Sequence, residues 1–104
     1  MFESFIISEI YKYFTNQHRI PPLYFWRENK GVEVDLIIET SQALIPIEIK
    51  SGETFNRDFL KTLQNYLSFA KPRAKNPGLV FGGTGNFVRE DVHVVGWKEA
   101  TALI

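Results

Sequence analysis

At 104 residues, 44% of them hydrophobic, the chain is long enough for one domain with a single modest core and too apolar to stay disordered. Its 12 lysines and arginines balance its 12 aspartates and glutamates, which excludes a domain held to nucleic acid by overall charge; any such binding needs a local patch. With no cysteine, disulfides, zinc–thiolate sites and thiol chemistry are excluded as well.

Residues 2–14 carry Phe2, Ile6, Ile10, Tyr13 and Phe14 at helical spacing, and Asn16 with Pro21-Pro22 closes that helix. Residues 23–27 are short and aromatic-rich, a strand. Asn29-Lys30-Gly31 then reads as a hairpin turn, since Asn and Gly tolerate the positive φ such turns require. Residues 32–40 alternate: Val34, Leu36 and Ile38 on one face, Glu33, Asp35, Ile37 and Glu39 on the other. Residues 43–51 alternate again, with Ile45, Ile47 and Ile49 opposite Pro46, Glu48 and Lys50. Residues 55–70 form a second amphipathic helix with Phe59, Leu60, Leu63, Tyr66, Leu67 and Ala70 on its apolar stripe. A basic, proline-punctuated loop (71–77) leads to a short apolar strand (79–81). The turn Gly82-Gly83-Thr84-Gly85 is flexible and no Walker loop, because no lysine follows it. Residues 92–95 are the final strand, and a helix starts at 97. The order predicts an α/β (α+β) domain: a small mixed sheet with helices packed on it. The chain shows no internal repeat or linker, so residues 1–104 read as one domain.

No apolar run reaches the length of a membrane span, and Met1-Phe2-Glu3-Ser4 lacks the basic start of a signal peptide, so the expected location is the cytoplasm. Nine phenylalanines and two tryptophans exceed what such a core needs. That surplus places some aromatics at a surface, against another domain or a second copy in a homo-oligomer. Met1 leads straight into a helical pattern, as in a domain excised from a longer chain.

The residues that could carry chemistry are Asp35, Glu48 and Lys50. Asp35 shares a face with Ile37, so it either lies on the solvated side of an edge strand or interrupts a covered surface. Glu48 and Lys50 leave one strand on the same face, roughly 7 Å apart by strand rise. Their strand is otherwise near-continuously apolar, so both charges need partners. They can form a structural ion pair, or, with Asp35 brought in by the hairpin, a site for Mg²⁺ or Mn²⁺. Such a cation serves phosphodiester hydrolysis, with a lysine beside it to orient water or stabilise developing charge. Glu3 falls within the apolar stripe of the first helix. It either favours the helix dipole in the first turn or points toward the metal. Gln64 flanks the stripe of the second helix, where a glutamine is ordinarily exposed. Lys71, Arg73 and Lys75, with Arg27 and Lys30, could form a basic rim for a DNA backbone; a solvated loop explains 71–75 equally well.

With Glu3, Asp35, Glu48-Ile49-Lys50 and Gln64 in this order, the chain resembles the PD-(D/E)XK, or restriction-endonuclease-like, superfamily. More narrowly, Tyr24-Phe25-Trp26-Arg27, Gly31-Val32-Glu33-Val34-Asp35 and Ile45-Pro46-Ile47-Glu48-Ile49-Lys50-Ser51-Gly52 are similar to the C-terminal domain of predicted prokaryotic AAA-type ATPases. The resemblance implies a core of helix, three-strand meander, helix and strand, and the ATPase domain of a parent chain as partner. It further implies Glu3, Asp35 and Glu48 as metal-site acids, Lys50 as catalytic lysine, and Gln64 as the glutamine of the following helix. The proline that names the superfamily is Val34 here. No Walker motif occurs, so ATP hydrolysis is not expected of this chain. Three readings stay open: a metal-dependent nuclease, a non-catalytic binding or docking module of the ATPase with a vestigial metal site, and a purely structural domain.

Overall fold

The structure, a computed structural model, describes residues 2–27, 33–70 and 73–104. Helix α1 (Phe2–Thr15) buries Ile6, Ile10 and Phe14, four residues apart and hence on one stripe. It ends where His18 turns left-handed (φ 57) and the Arg19 N–H donates to the Phe14 carbonyl at 3.1 Å, which satisfies a terminal acceptor. Strands β1 (Leu23–Arg27), β2 (Glu33–Glu39) and β3 (Leu44–Lys50) form an antiparallel meander. The expected turn at Asn29-Lys30-Gly31 lies outside the described residues. A 3-10 turn (Arg57–Leu60), capped by Asn56 accepting from the Asp58 N–H, leads into α2 (Lys61–Ala70). Then come β4 (Gly78–Phe81), β5 (Asn86–Arg89), β6 (Val92–Gly96) and a 3-10 segment, Trp97–Leu103.

The strands make one six-stranded mixed sheet in the order β1-β2-β3-β4-β6-β5. Strands β3, β4 and β6 are parallel neighbours, and β5 closes the edge antiparallel to β6. The expected order of helix, meander, helix, strand is therefore present, and β5 is an addition to it. That strand goes unnoticed in the sequence because it is an exposed edge with no clean alternation. Its turn, Glu90-Asp91 (φ 51 and 68), also lacks the usual Asn-Gly signal. The last segment is 3-10 rather than α-helical.

Two apolar layers sandwich the sheet. Helix α1 and the 97–103 segment cover Leu36, Ile38, Ile47, Ile49, Val80 and Val95. Helix α2 covers Val34, Ile37, Leu79, Phe81, Val92 and Val94. One expectation fails here. Val34 packs with Ile37, not with Leu36 and Ile38, because the β1–β2 register passes from Tyr24↔Ile37 to Trp26↔Val34. Three steps on β2 match two on β1, so β2 bulges at Asp35 and Leu36 and its alternation slips by one. Among the described residues, no helix is long and apolar enough to cross a membrane.

Candidate functional site

The β2–β3 ladder runs from Glu39↔Leu44 to Leu36↔Ile47. Beyond that pair, carboxylates replace the backbone partners. The Ile49 N–H donates to Asp35 Oδ2 at 2.8 Å, and the Asp35 N–H reaches Glu48 Oε1 at 3.4 Å. The bulge frees Asp35 from strict alternation, so it meets both Glu48 and Glu3 of α1. Glu48 is 4% exposed, the only acidic or basic side chain buried to that degree among the described residues. Lys50 Nζ stands 3.8 Å from Glu48 Oε2, at ion-pair range but too far for a hydrogen bond, and remains half-exposed. The predicted trio is thus assembled at the fork between two strands.

The electrostatics follow from that crowding. Burial first, then the hydrogen bond and charge of Asp35, push the Glu48 carboxyl up to about 8; Lys50 and the Thr62 hydroxyl on α2 only partly offset this. Burial also raises Asp35. Hydrogen bonds from Glu48, Glu3 and the Ile49 N–H, together with the Lys50 charge, outweigh it and hold Asp35 below the ordinary range. Two carboxyls this close resist ionising together, and Lys50 offsets this only in part, so below about pH 8 the pair keeps one proton, on Glu48. Glu3 sits exposed in the first turn of α1, where the helix dipole favours an acid, and still bears on Asp35. The donor set is all oxygen and short of positive charge, which suits a hard divalent cation displacing the Glu48 proton. The three acids are strung through Asp35. Among the described residues no three Asp, Glu, His or Cys side chains close into a ready-made cage.

A family model for DUF4143, a domain of unknown function, matches residues 1–100. The chain belongs to the DUF4143 family. DUF4143 domains are found in AAA-ATPase-associated proteins. No curated protein matches the chain.

Other predicted residues of this DUF4143 domain that the structure describes engage other partners. The Gln64 amide donates to Glu90 Oε1 at 3.2 Å, on the β5–β6 turn, and Arg57 Nε pairs with the same carboxylate at 2.7 Å. Arg73 and Lys75 flank the opposite end of β3: the Leu44 N–H donates to the Arg73 carbonyl, and the Lys75 N–H to the Leu44 carbonyl. Six strand steps, about 20 Å, separate that end from Lys50, so these two residues do not rim the acid cluster. Arg73 instead approaches Glu39 at 3.9 Å, an exposed pair of little consequence. The Arg27 side chain, Lys30 and Lys71 lie outside the described residues. The sequence reading missed Thr62. A threonine in the first turn of a helix after the Glu48 strand is a faint signal, meaningful only once α2 is known to cross over β3.

Proposed function

We propose that this DUF4143 domain is a Mg²⁺- or Mn²⁺-dependent phosphodiesterase acting on DNA, with a PD-(D/E)XK core appended to an AAA-type ATPase. The observation that carries the reading is the buried Glu48 carboxyl, pushed up to about 8 against Asp35 and flanked by a half-exposed lysine. A site whose charges were balanced for structure alone would pair each acid with a base; this one holds two acids and shares one lysine. Asp35 and Glu48 would hold the cation, with Glu3 completing the shell from α1. When bound, the cation supplies positive charge at the scissile phosphate and acidifies water.

The chain's own groups do the rest. Ile49 N–H fixes the Asp35 carboxylate in place, and burial under α2 keeps bulk water from Glu48. Lys50, able to reach solvent, orients the attacking water and stabilises negative charge developing on the phosphoryl oxygens. Water adds to phosphorus and gives up a proton to solvent, while the bond to the leaving sugar oxygen breaks and that oxygen takes a proton from solvent to leave as a hydroxyl.

A nuclease assay with Mn²⁺ on single-stranded, duplex and branched DNA tests this. Lys50→Ala should lower cleavage by about 10²-fold or more while the melting temperature stays near wild type. Wild-type protein that cuts no DNA form at any concentration would count against the reading. A second reading, a non-catalytic docking module of the ATPase, draws on the zero net charge. It expects no divalent-cation stabilisation that Asp35→Asn can remove.

A further inference from the structure

The carboxyl ends of β3, β4 and β6 are level: Lys50 pairs with Phe81, and Phe81 with Gly96. Outside the carboxyl ends of parallel strands is where open α/β sheets bind ligands. Here the segments leaving those ends are pressed together. The Gly82 N–H donates to the Gly52 carbonyl at 2.9 Å, and a Cβ on Gly82 would lie 2.2 Å from the Ser51 carbonyl oxygen. This close backbone packing makes a floor beside two aromatic rings. Phe5 of α1 and Trp97 meet edge-on, with centroids 6.0 Å apart. Phe5 is 46% exposed. Lys98 Nζ lies over the Trp97 ring, 5.3 Å from its centroid, a cation on one face of the indole that leaves the other face for stacking.

These rings border a cavity of about 420 Å³ lined by Phe2, Phe5, Ser51, Gly82 and Trp97. A second cavity of about 370 Å³, lined by Phe2, Glu3, Ile49 and Ser51, shares two of its walls. The second cavity reaches the acid cluster, since Glu3 and the Ile49 N–H both engage Asp35. With a phosphodiester at the acid cluster, as the proposed activity has it, an occupant of both carries that group at one end and a flat apolar group at the other. A nucleotide does so only when its base is unstacked, which duplex DNA does not offer. Lys50 and Lys98 match its phosphates in sign. Stacking is also the binding mode open to a domain of zero net charge, because it needs no field of cations.

We propose that Trp97 and Phe5 form a stacking platform for an unpaired base of single-stranded DNA, next to a phosphodiester drawn by Lys50 and by the cation that Asp35 and Glu48 would hold. The proposal rests on the phosphodiesterase reading for the neighbouring site, but binding can be measured without turnover. Fluorescence anisotropy with a fluorescein-labelled oligothymidylate in EDTA should show at least tenfold tighter binding than a duplex of equal length. An RNA strand of equal length tests whether the sugar matters, and tighter binding of RNA than of DNA would overturn the DNA assignment. Phe5→Ala with Trp97→Ala should weaken binding by about ten- to a hundredfold, and Trp97→Phe should keep most of it. Phe5→Ala alone, at an exposed position, keeps the test valid if the double variant fails to fold. In a Trp26→Phe background, saturating DNA should quench the Trp97 emission. The salt slope, log Kobs against log[salt], should be no steeper than about −1.5, as about two phosphate contacts on a single strand produce. Equal affinity for duplex and single strand, or no loss in the Phe5 variants, overturns the platform. Single-strand binding that those variants abolish, in a protein that cuts nothing, leaves the platform standing and removes the nuclease instead.

Discussion

A carboxyl buried beside another carboxyl either keeps a proton or takes up a cation, and Glu48 is in that position. Its pKa is raised from an ordinary 4.5 to about 8, so the folded protein binds this proton more tightly than the unfolded chain does. The resulting stability is complete below the ordinary value and is lost as pH climbs through about 8. Asp35, held low, works oppositely: its contribution is present above its ordinary 3.8 and is lost only in stronger acid. Urea denaturation without divalent cations should therefore show stability falling from pH 5 to pH 8.5, and Glu48→Gln should flatten that slope. In the metal-site reading, Mg²⁺ or Mn²⁺ should raise the melting temperature more at pH 8 than at pH 6, because the cation competes with the proton. The candidacy of Glu48 and Lys50 was legible in the sequence, since residues two apart on an unbulged strand share a face, and the hairpin brought Asp35 beside them. The part played by Thr62 was not, because it comes from a helix whose crossing over β3 is no local property.

At the scale of elements, the loops that follow β3, β4 and β6 show where pattern reading stops. Gly82-Gly83-Thr84-Gly85 looked like a flexible turn; it is a close backbone crossing, with Gly83 as tight as Gly82, its Cβ falling 2.1 Å from the Glu53 carbonyl oxygen. Gly82 and Gly83 are there for lack of a side chain rather than for mobility. Gly82→Ala should cost about 3 kcal/mol in denaturant unfolding, since the backbone it meets cannot swing aside as a side chain would. Thr84→Ala, at an exposed position of the same loop, should stay within about 0.5 kcal/mol of wild type. The bulge in β2 is a parallel case. Alternation in the sequence put Val34 with Leu36, whereas pairing with β1 shifts Val34 to the α2 side and frees Asp35 to reach α1. Helices α1 and α2 were readable from their stripes because 3.6-residue spacing needs no partner to be seen.

Across the whole molecule, the sheet separates the acids from two of the cations that could have rimmed a phosphate backbone beside them. Arg73 and Lys75 hold the Leu44 end of β3, while the acids and Lys50 gather at its other end. Arg73→Ala with Lys75→Ala should accordingly leave divalent-cation stabilisation unchanged and alter any DNA cleavage by less than about fivefold, a distance argument checked by the same melting and nuclease assays. Trp97 was legible only as the start of a last helix; its place beside Phe5 and Ser51 needed both parallel crossovers. The sequence by itself determined the chemical inventory, the period of each main element and the shared face of Glu48 and Lys50, all of which follow from bonds along the chain. Tertiary structure alone decided which ends of which strands lie level, that carboxylates take over the ladder at the β2–β3 fork, and which helix reaches Asp35. Those depend on pairing register, a bulge and crossover packing, where the energy lies between residues distant in sequence.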